Sequence, residues 1–95
     1  MLTYKAIFKF LEHQVHGEVL DFPGVFTCAD SLPEARRLLS SALVDMADIA
    51  LQEGEALPKP NPSLTDPDAD LEEPIYLLLR SASVVTPTAL AYETA

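Results

Sequence analysis

The stretch from Ser31 to Gly54 limits what the whole chain can fold into, because at helical spacing it divides into two unlike faces. Ala35, Leu38, Leu39, Ala42, Leu43, Met46, Ile49 and Ala50 fall on one side, whereas Glu34, Arg36, Arg37, Ser40, Ser41, Asp45, Asp48 and Gln52 fall mostly on the other. Ser31 marks the start of this amphipathic helix: its hydroxyl can accept a bond from a free first-turn amide, and Glu34 is placed as the acid of a capping box. Pro33 suits the first turn, whose amides have no helical partner. Gly54 can take the left-handed conformation that ends a helix, and Pro58 and Pro60 prevent its resumption. About 22 helical residues run roughly 33 Å, the width of a small domain. One apolar face of that length requires a sheet, or a second copy of itself, to lie on.

The residues before the helix supply strands. Tyr4, Ala6, Phe8 and Phe10 alternate with Lys5, Ile7, Lys9 and Leu11, the pattern of a strand with one dry face. Glu12-His13-Gln14 breaks it, and Val15 to Phe22 reads as a second strand joined by a short hairpin loop. Gly17 within that strand calls for a bulge or a close approach of another group. Phe22-Pro23-Gly24-Val25 is a type II turn signal, proline setting the second position and glycine accepting the positive φ of the third. Val25 to Ala29 is a short third strand that ends just before the helix cap. The fold class predicted is α+β: a three-stranded antiparallel sheet, one long helix and a fourth strand, β-β-β-α-β.

Between residues 55 and 74 regular structure is lost, since Pro58, Pro60, Pro62, Pro67 and Pro74 exclude helix and strand alike. Asp66, Asp68, Asp70, Glu72 and Glu73 make this connection the most acidic part of the chain. The alternating aspartates resemble a calcium loop only superficially, because the glycine and the closing acid such a loop needs are missing. Ile75 to Leu79 is an uninterrupted apolar run, predicted as the fourth strand, buried on both faces or joined to a partner's sheet. Ser83 to Thr86 can add a fifth, and Thr86-Pro87-Thr88 can cap a short helix through Tyr92.

A chain of 95 residues, 48% hydrophobic and 22% charged, is expected to form one domain over residues 1–95, with a core from about 2 to 80 and an irregular tail over 81–95. No run approaches the roughly 20 apolar residues that cross a bilayer, and the N-terminus carries no basic region followed by an apolar block, so a cytoplasmic protein without membrane contact is expected. Cys28 is the only cysteine, which excludes an intrachain disulfide and a thiolate metal cluster; its expected role is a buried small apolar residue. The formal charge of −9 repels phosphate backbones and attracts basic proteins, so direct nucleic-acid binding is not supported.

No catalytic, cofactor or metal site is legible. His13 and His16 form a surface pair without further ligands, no nucleophile has a local signature, and each glycine stands alone rather than in a phosphate loop. A hydrolase using Asp21, Asp30 and a helix acid with a divalent ion would need the fold to bring those acids together. Candidate partner-binding residues are Asp45, Asp48, Asp66, Asp68, Asp70, Glu72 and Glu73, which also fit an ordinary solvated charge run. Candidate self-association residues are Ile75, Tyr76, Leu77, Leu78 and Leu79, an apolar edge that a second copy would cover in a dimer or tetramer.

In order, the opening strand Tyr4-Lys5-Ala6-Ile7, Gly17, the turn Phe22-Pro23-Gly24-Val25-Phe26-Thr27, the helix start Asp30-Ser31-Leu32-Pro33-Glu34-Ala35 and the exit Glu53-Gly54-Glu55-Ala56-Leu57-Pro58-Lys59-Pro60 resemble the HicB family of antitoxins over residues 2 to 62. The resemblance implies a partial RNase H-like domain without the metal-binding carboxylates of the nuclease. It also implies a function: such proteins bind and mask a small basic, messenger-RNA-cleaving toxin of the HicA type, and many carry a C-terminal DNA-binding segment. Two departures stand out. The sequence after Arg80 has no basic residue, so DNA binding is not supported, and the turn at Asp21-Phe22-Pro23-Gly24 is a shortened form. The expected function is therefore an antitoxin-like binding protein, not an enzyme. The alternative is an orphan HicB-like homo-oligomer with a regulatory or structural role and no toxin.

Overall fold

The computed structural model describes residues 1–78. Along them run β1 (Leu2–Phe10), β2 (Val15–Val19), β3 (Phe26–Ala29), α1 (Leu32–Gln52) and β4 (Leu71–Leu77). The strands form one antiparallel four-stranded sheet in the order β3-β2-β1-β4, and α1 covers one face of it. This is the expected α+β architecture, with the fourth strand inside the same sheet. Leu79, the fifth strand predicted at Ser83 to Thr86, the short helix through Tyr92 and the tail 81–95 lie outside the described residues. No helix among the described residues is long and apolar enough to cross a membrane.

Alternation along β1 sends Tyr4, Ala6 and Phe8 into the core beneath α1, where they meet Val19, Phe22, Val25, Ile75 and Leu77. The helix contributes Ala35, Leu39, Leu43 and Ala47, a row at four-residue spacing. Ile49, expected on this face, is exposed, because the buried stripe follows the i+4 row through Ala47 instead. The two strands before the helix are shorter than predicted: β2 stops at Val19, and Leu20 to Val25 form the turn around Gly24, whose φ of +93° suits glycine alone. Gly17 sits in unbroken register opposite Phe8, so the close approach is realised and the bulge is not.

Both ends of α1 follow local rules. Ser31 Oγ accepts a bond from the Glu34 amide at 3.3 Å, but the Glu34 carboxylate turns to Arg37, so the reciprocal half of the capping box does not form. At the other end Glu55 N bonds Ala50 O and Gly54 N bonds Leu51 O around Gly54, φ +76°, a Schellman motif.

Tyr4 packs edge-on against Phe22, with ring centroids 5.4 Å apart, and donates its hydroxyl to the Pro58 carbonyl at 2.7 Å. Burial, reinforced by the Asp21 charge, pushes this phenol up from 10.0 to about 12. The folded chain thus holds the proton more tightly than the unfolded chain, so its stabilising contribution is complete below about pH 10 and is lost as pH rises toward 12. Tyr4→Phe should flatten the fall in melting temperature across that window; an unchanged slope in the variant would refute the assignment.

Candidate functional site

The second face of the sheet is not left to solvent. After α1 the chain turns under Tyr4, then Asn61 donates its amide to Asp21 Oδ2 at 2.9 Å. Lys5 Nζ reaches the carbonyls of Pro62 and Leu64, each at 2.7 Å, and Lys9 Nζ lies 3.0 Å from Asp66 Oδ2. The connection is therefore a strap lying over β1, and Ile7, between the two lysines, is 0% exposed although it belongs to the face away from the helix. Proline-rich backbone suits this role because it lacks donors that a neighbouring strand would have to satisfy, while its carbonyls remain to receive the lysine.

The acids proposed for partner binding have unequal fates. Asp66 accepts the Asp68 amide at 2.9 Å and pairs with Lys9; that backbone bond first, and then Lys9, hold its carboxyl below the usual aspartate range. Asp70 Oδ2 accepts the Phe10 amide at 2.7 Å and its own amide bonds Phe8 O, which starts β4. Glu72 lies 3.6 Å from Lys5 Nζ, and Glu73 takes a two-point pair from Arg36 at 2.8 and 2.9 Å. Glu72 and Glu73 thus belong to β4 and not to an irregular connection. Asp45, Asp48 and Asp68 form no ion pair among the described residues. Asp21, weighed as a metal-ligating acid, has both oxygens taken, Oδ1 by the Lys5 amide and Oδ2 by that of Asn61. The fold does not gather it with Asp30 and a helix acid: no group of three or more metal-ligating side chains exists among the described residues.

The expected self-association run divides by face. Ile75 and Leu77 are buried beneath α1, whereas Tyr76 and Leu78 are 54% and 68% exposed, so β4 is not buried on both faces. Lys5 directs its amide and carbonyl toward the β2 side, to Asp21 and Leu20. Alternation then turns the nitrogen of Pro74, opposite Lys5, to the outer edge, so the donor that proline lacks is missing from the free edge and not from the ladder.

Cys28, expected in the core, is exposed instead. It stands directly opposite His16 in the β2–β3 register, on the face away from the helix, with Sγ 3.7 Å from Nδ1. His16 Nε2 lies 3.3 Å from Glu18 Oε1, two residues along the same face. Beside this row a cavity of about 510 Å³ is lined by His16, Glu18, Leu20, Pro23 and Phe26, among others.

No protein-family model and no curated protein sequence matches this chain.

The His16–Cys28 contact does not follow from the turn signal: a turn at Pro23-Gly24 alone sets Phe22 against Val25 and Cys28 against Val19, whereas the longer loop from Leu20 to Gly24 sets Val19 against Val25 and so His16 against Cys28.

Proposed function

We propose that this chain is an antitoxin-like binding protein that masks a small basic, RNA-cleaving protein through its acidic surface. One observation carries the reading: among residues 1–78 every cation but Lys59 is spent internally, whereas six acids pair with no cation. Of the lysines and arginines among residues 1–78, Lys5, Lys9, Arg36 and Arg37 are all held by carboxylates or carbonyls of the same chain, which leaves only Lys59 free. Asp30, Asp45, Asp48, Glu53, Glu55 and Asp68 form no such pair among the described residues. Asp48, Glu53 and Glu55 also crowd the C-terminal end of α1, whose last turn has no basic residue. Negative charge there opposes the helix dipole by a few tenths of a kcal/mol per residue, so the fold gains nothing from it. An excess of carboxylates that folding does not need suits the capture of a basic partner, mainly by speeding encounter and excluding wrong partners. The order of elements agrees with the HicB-like resemblance, and self-association through the exposed Tyr76–Leu78 face belongs to the same reading.

Affinity capture of the tagged chain from its native lysate tests this, eluted first at about 0.1 M and then at about 1 M salt, which shrinks the Debye length from about 10 to about 3 Å. A small basic protein should elute at high salt, and its ribonuclease activity should fall when the chain is added back. Recovery of this chain alone, with the mass of a dimer or tetramer, would overturn the toxin partner and favour the orphan oligomer.

A further inference from the structure

We propose that Cys28 is a nucleophilic thiol, activated by His16, that takes up small-molecule disulfides as a mixed disulfide on the free edge of the sheet. This is independent of the binding reading. β3 is an edge strand and Cys28 is exposed on it, so a reagent can reach the sulfur. A carboxylate only accepts hydrogen bonds, so the contact from Glu18 Oε1 to His16 Nε2 at 3.3 Å favours, in the neutral ring, the tautomer with its proton on Nε2. Nδ1 then presents its lone pair to the thiol 3.7 Å away. Nucleophile, base and orienting acid thus stand in one row, the arrangement by which a weak nucleophile is activated. They are fixed by strand register and not by a loop: His16 is directly opposite Cys28, and Glu18 follows two residues later on the same strand face. The cavity of about 510 Å³ along Leu20, Pro23 and Phe26 adjoins His16 and Glu18 and can receive the organic half of the reagent. The other charged groups near the row are Lys9, opposite His16 on β1 and held by Asp66, and Asp30, just beyond β3.

In the exchange the Cys28 proton passes to His16 Nδ1 and the thiolate attacks one sulfur of R–S–S–R. A new S–S bond forms as the old one breaks, and R–S⁻ leaves with the bonding pair and recovers a proton from the imidazolium or from water. Cys28 is oxidised and one half of the reagent is reduced. With no second cysteine in the sequence, no neighbouring thiol of this chain resolves the adduct, which persists until an external thiol removes it.

The test uses a neutral disulfide, that of mercaptoethanol, so that the net negative chain does not repel the probe, with adduct formation followed by intact mass at neutral pH. The full chain should react about threefold faster than a short peptide holding Cys28 and its sequence neighbours, because His16 Nδ1 stands beside the thiol to take its proton as the sulfur attacks. His16→Gln should fall to the peptide rate and Glu18→Gln should lie between. A wild-type rate no greater than the peptide's overturns the proposal without any variant. A folded His16→Gln protein that reacts as fast as wild type overturns the role of His16.

Discussion

Asp21→Ala should lower the melting temperature of this protein by roughly 15 °C, corresponding to about 3 kcal/mol in a domain of this size. The side chain is only 6% exposed, and each carboxylate oxygen accepts one backbone amide at 2.9 Å, Lys5 on Oδ1 and Asn61 on Oδ2. Bonds to an ionised acceptor are about twice as strong as neutral ones, and their removal leaves two donors facing an apolar methyl group. The loss would not be confined to β1. Asn61 begins the strap whose next carbonyls hold Lys5 Nζ, so releasing it uncovers Ile7 on the sheet's second face. Asp21→Asn separates charge from geometry: its amide oxygen can still serve one backbone N–H, but its NH₂ group must confront the other, so it should recover less than half of the loss. Thermal unfolding checks the magnitude, and amide exchange at Lys5 and Asn61 checks the cause. A fall of under about 3 °C for Asp21→Ala would mean that water replaces the carboxylate at little cost.

What the sequence made legible divides by the range of the interaction. Ser31, Gly54 and the Pro23-Gly24 turn act within a few residues of themselves, and the two ends of the helix and the reversal before β3 follow from them alone. The apolar run at Ile75 marks only the later part of the fourth strand, which starts at Leu71, because its first residues are acidic and contain Pro74. Glu72 and Glu73 are tolerated in β4 because Lys5 and Arg36 come to meet them from other elements, and Pro74 because it turns its nitrogen to an open edge. Asp21 was legible as an acid but not as a tie between a strand and a strap, since one of its partners lies forty residues away. Ile49 erred the other way. An apolar residue within helical reach of the stripe reads as core, but the sheet is met by the i+4 row through Leu39 and Leu43, and that row passes it by. The candidate acids of the connection were predicted from charge alone, and charge could not reveal that Asp66, Asp70, Glu72 and Glu73 already had partners inside the fold.

Gly17→Ala should destabilise the fold by about 2 kcal/mol and Gly17→Val by about 3 kcal/mol, although propensity alone predicts the opposite sign. Glycine inside a strand costs roughly 0.5–1 kcal/mol relative to alanine, and valine is the better strand former by a further fraction. Against that gain stands the Phe8 ring, which lies directly over Gly17 in the neighbouring strand. A Cβ at residue 17 would be 2.8 Å from Phe8 Cε1 and 3.0 Å from Cδ1, with Leu39 Cδ2 behind it at 3.6 Å. The ring is itself buried and cannot swing into solvent, so relief must come from moving Phe8 into Leu39 or parting β1 from β2. Gly17 has no positive φ, so the penalty is steric and not a matter of backbone conformation. That makes it removable. Phe8→Leu shortens the offending group, and in the Gly17→Ala background it should cost less than it does alone, with a coupling of about 1 kcal/mol or more between two side chains in contact. Denaturant unfolding of the two single variants and the double variant measures that coupling. If Gly17→Ala proves as stable as the parent, or if its effect adds to that of Phe8→Leu without coupling, then the packing of Phe8 on the β2 backbone is not what requires glycine at this position.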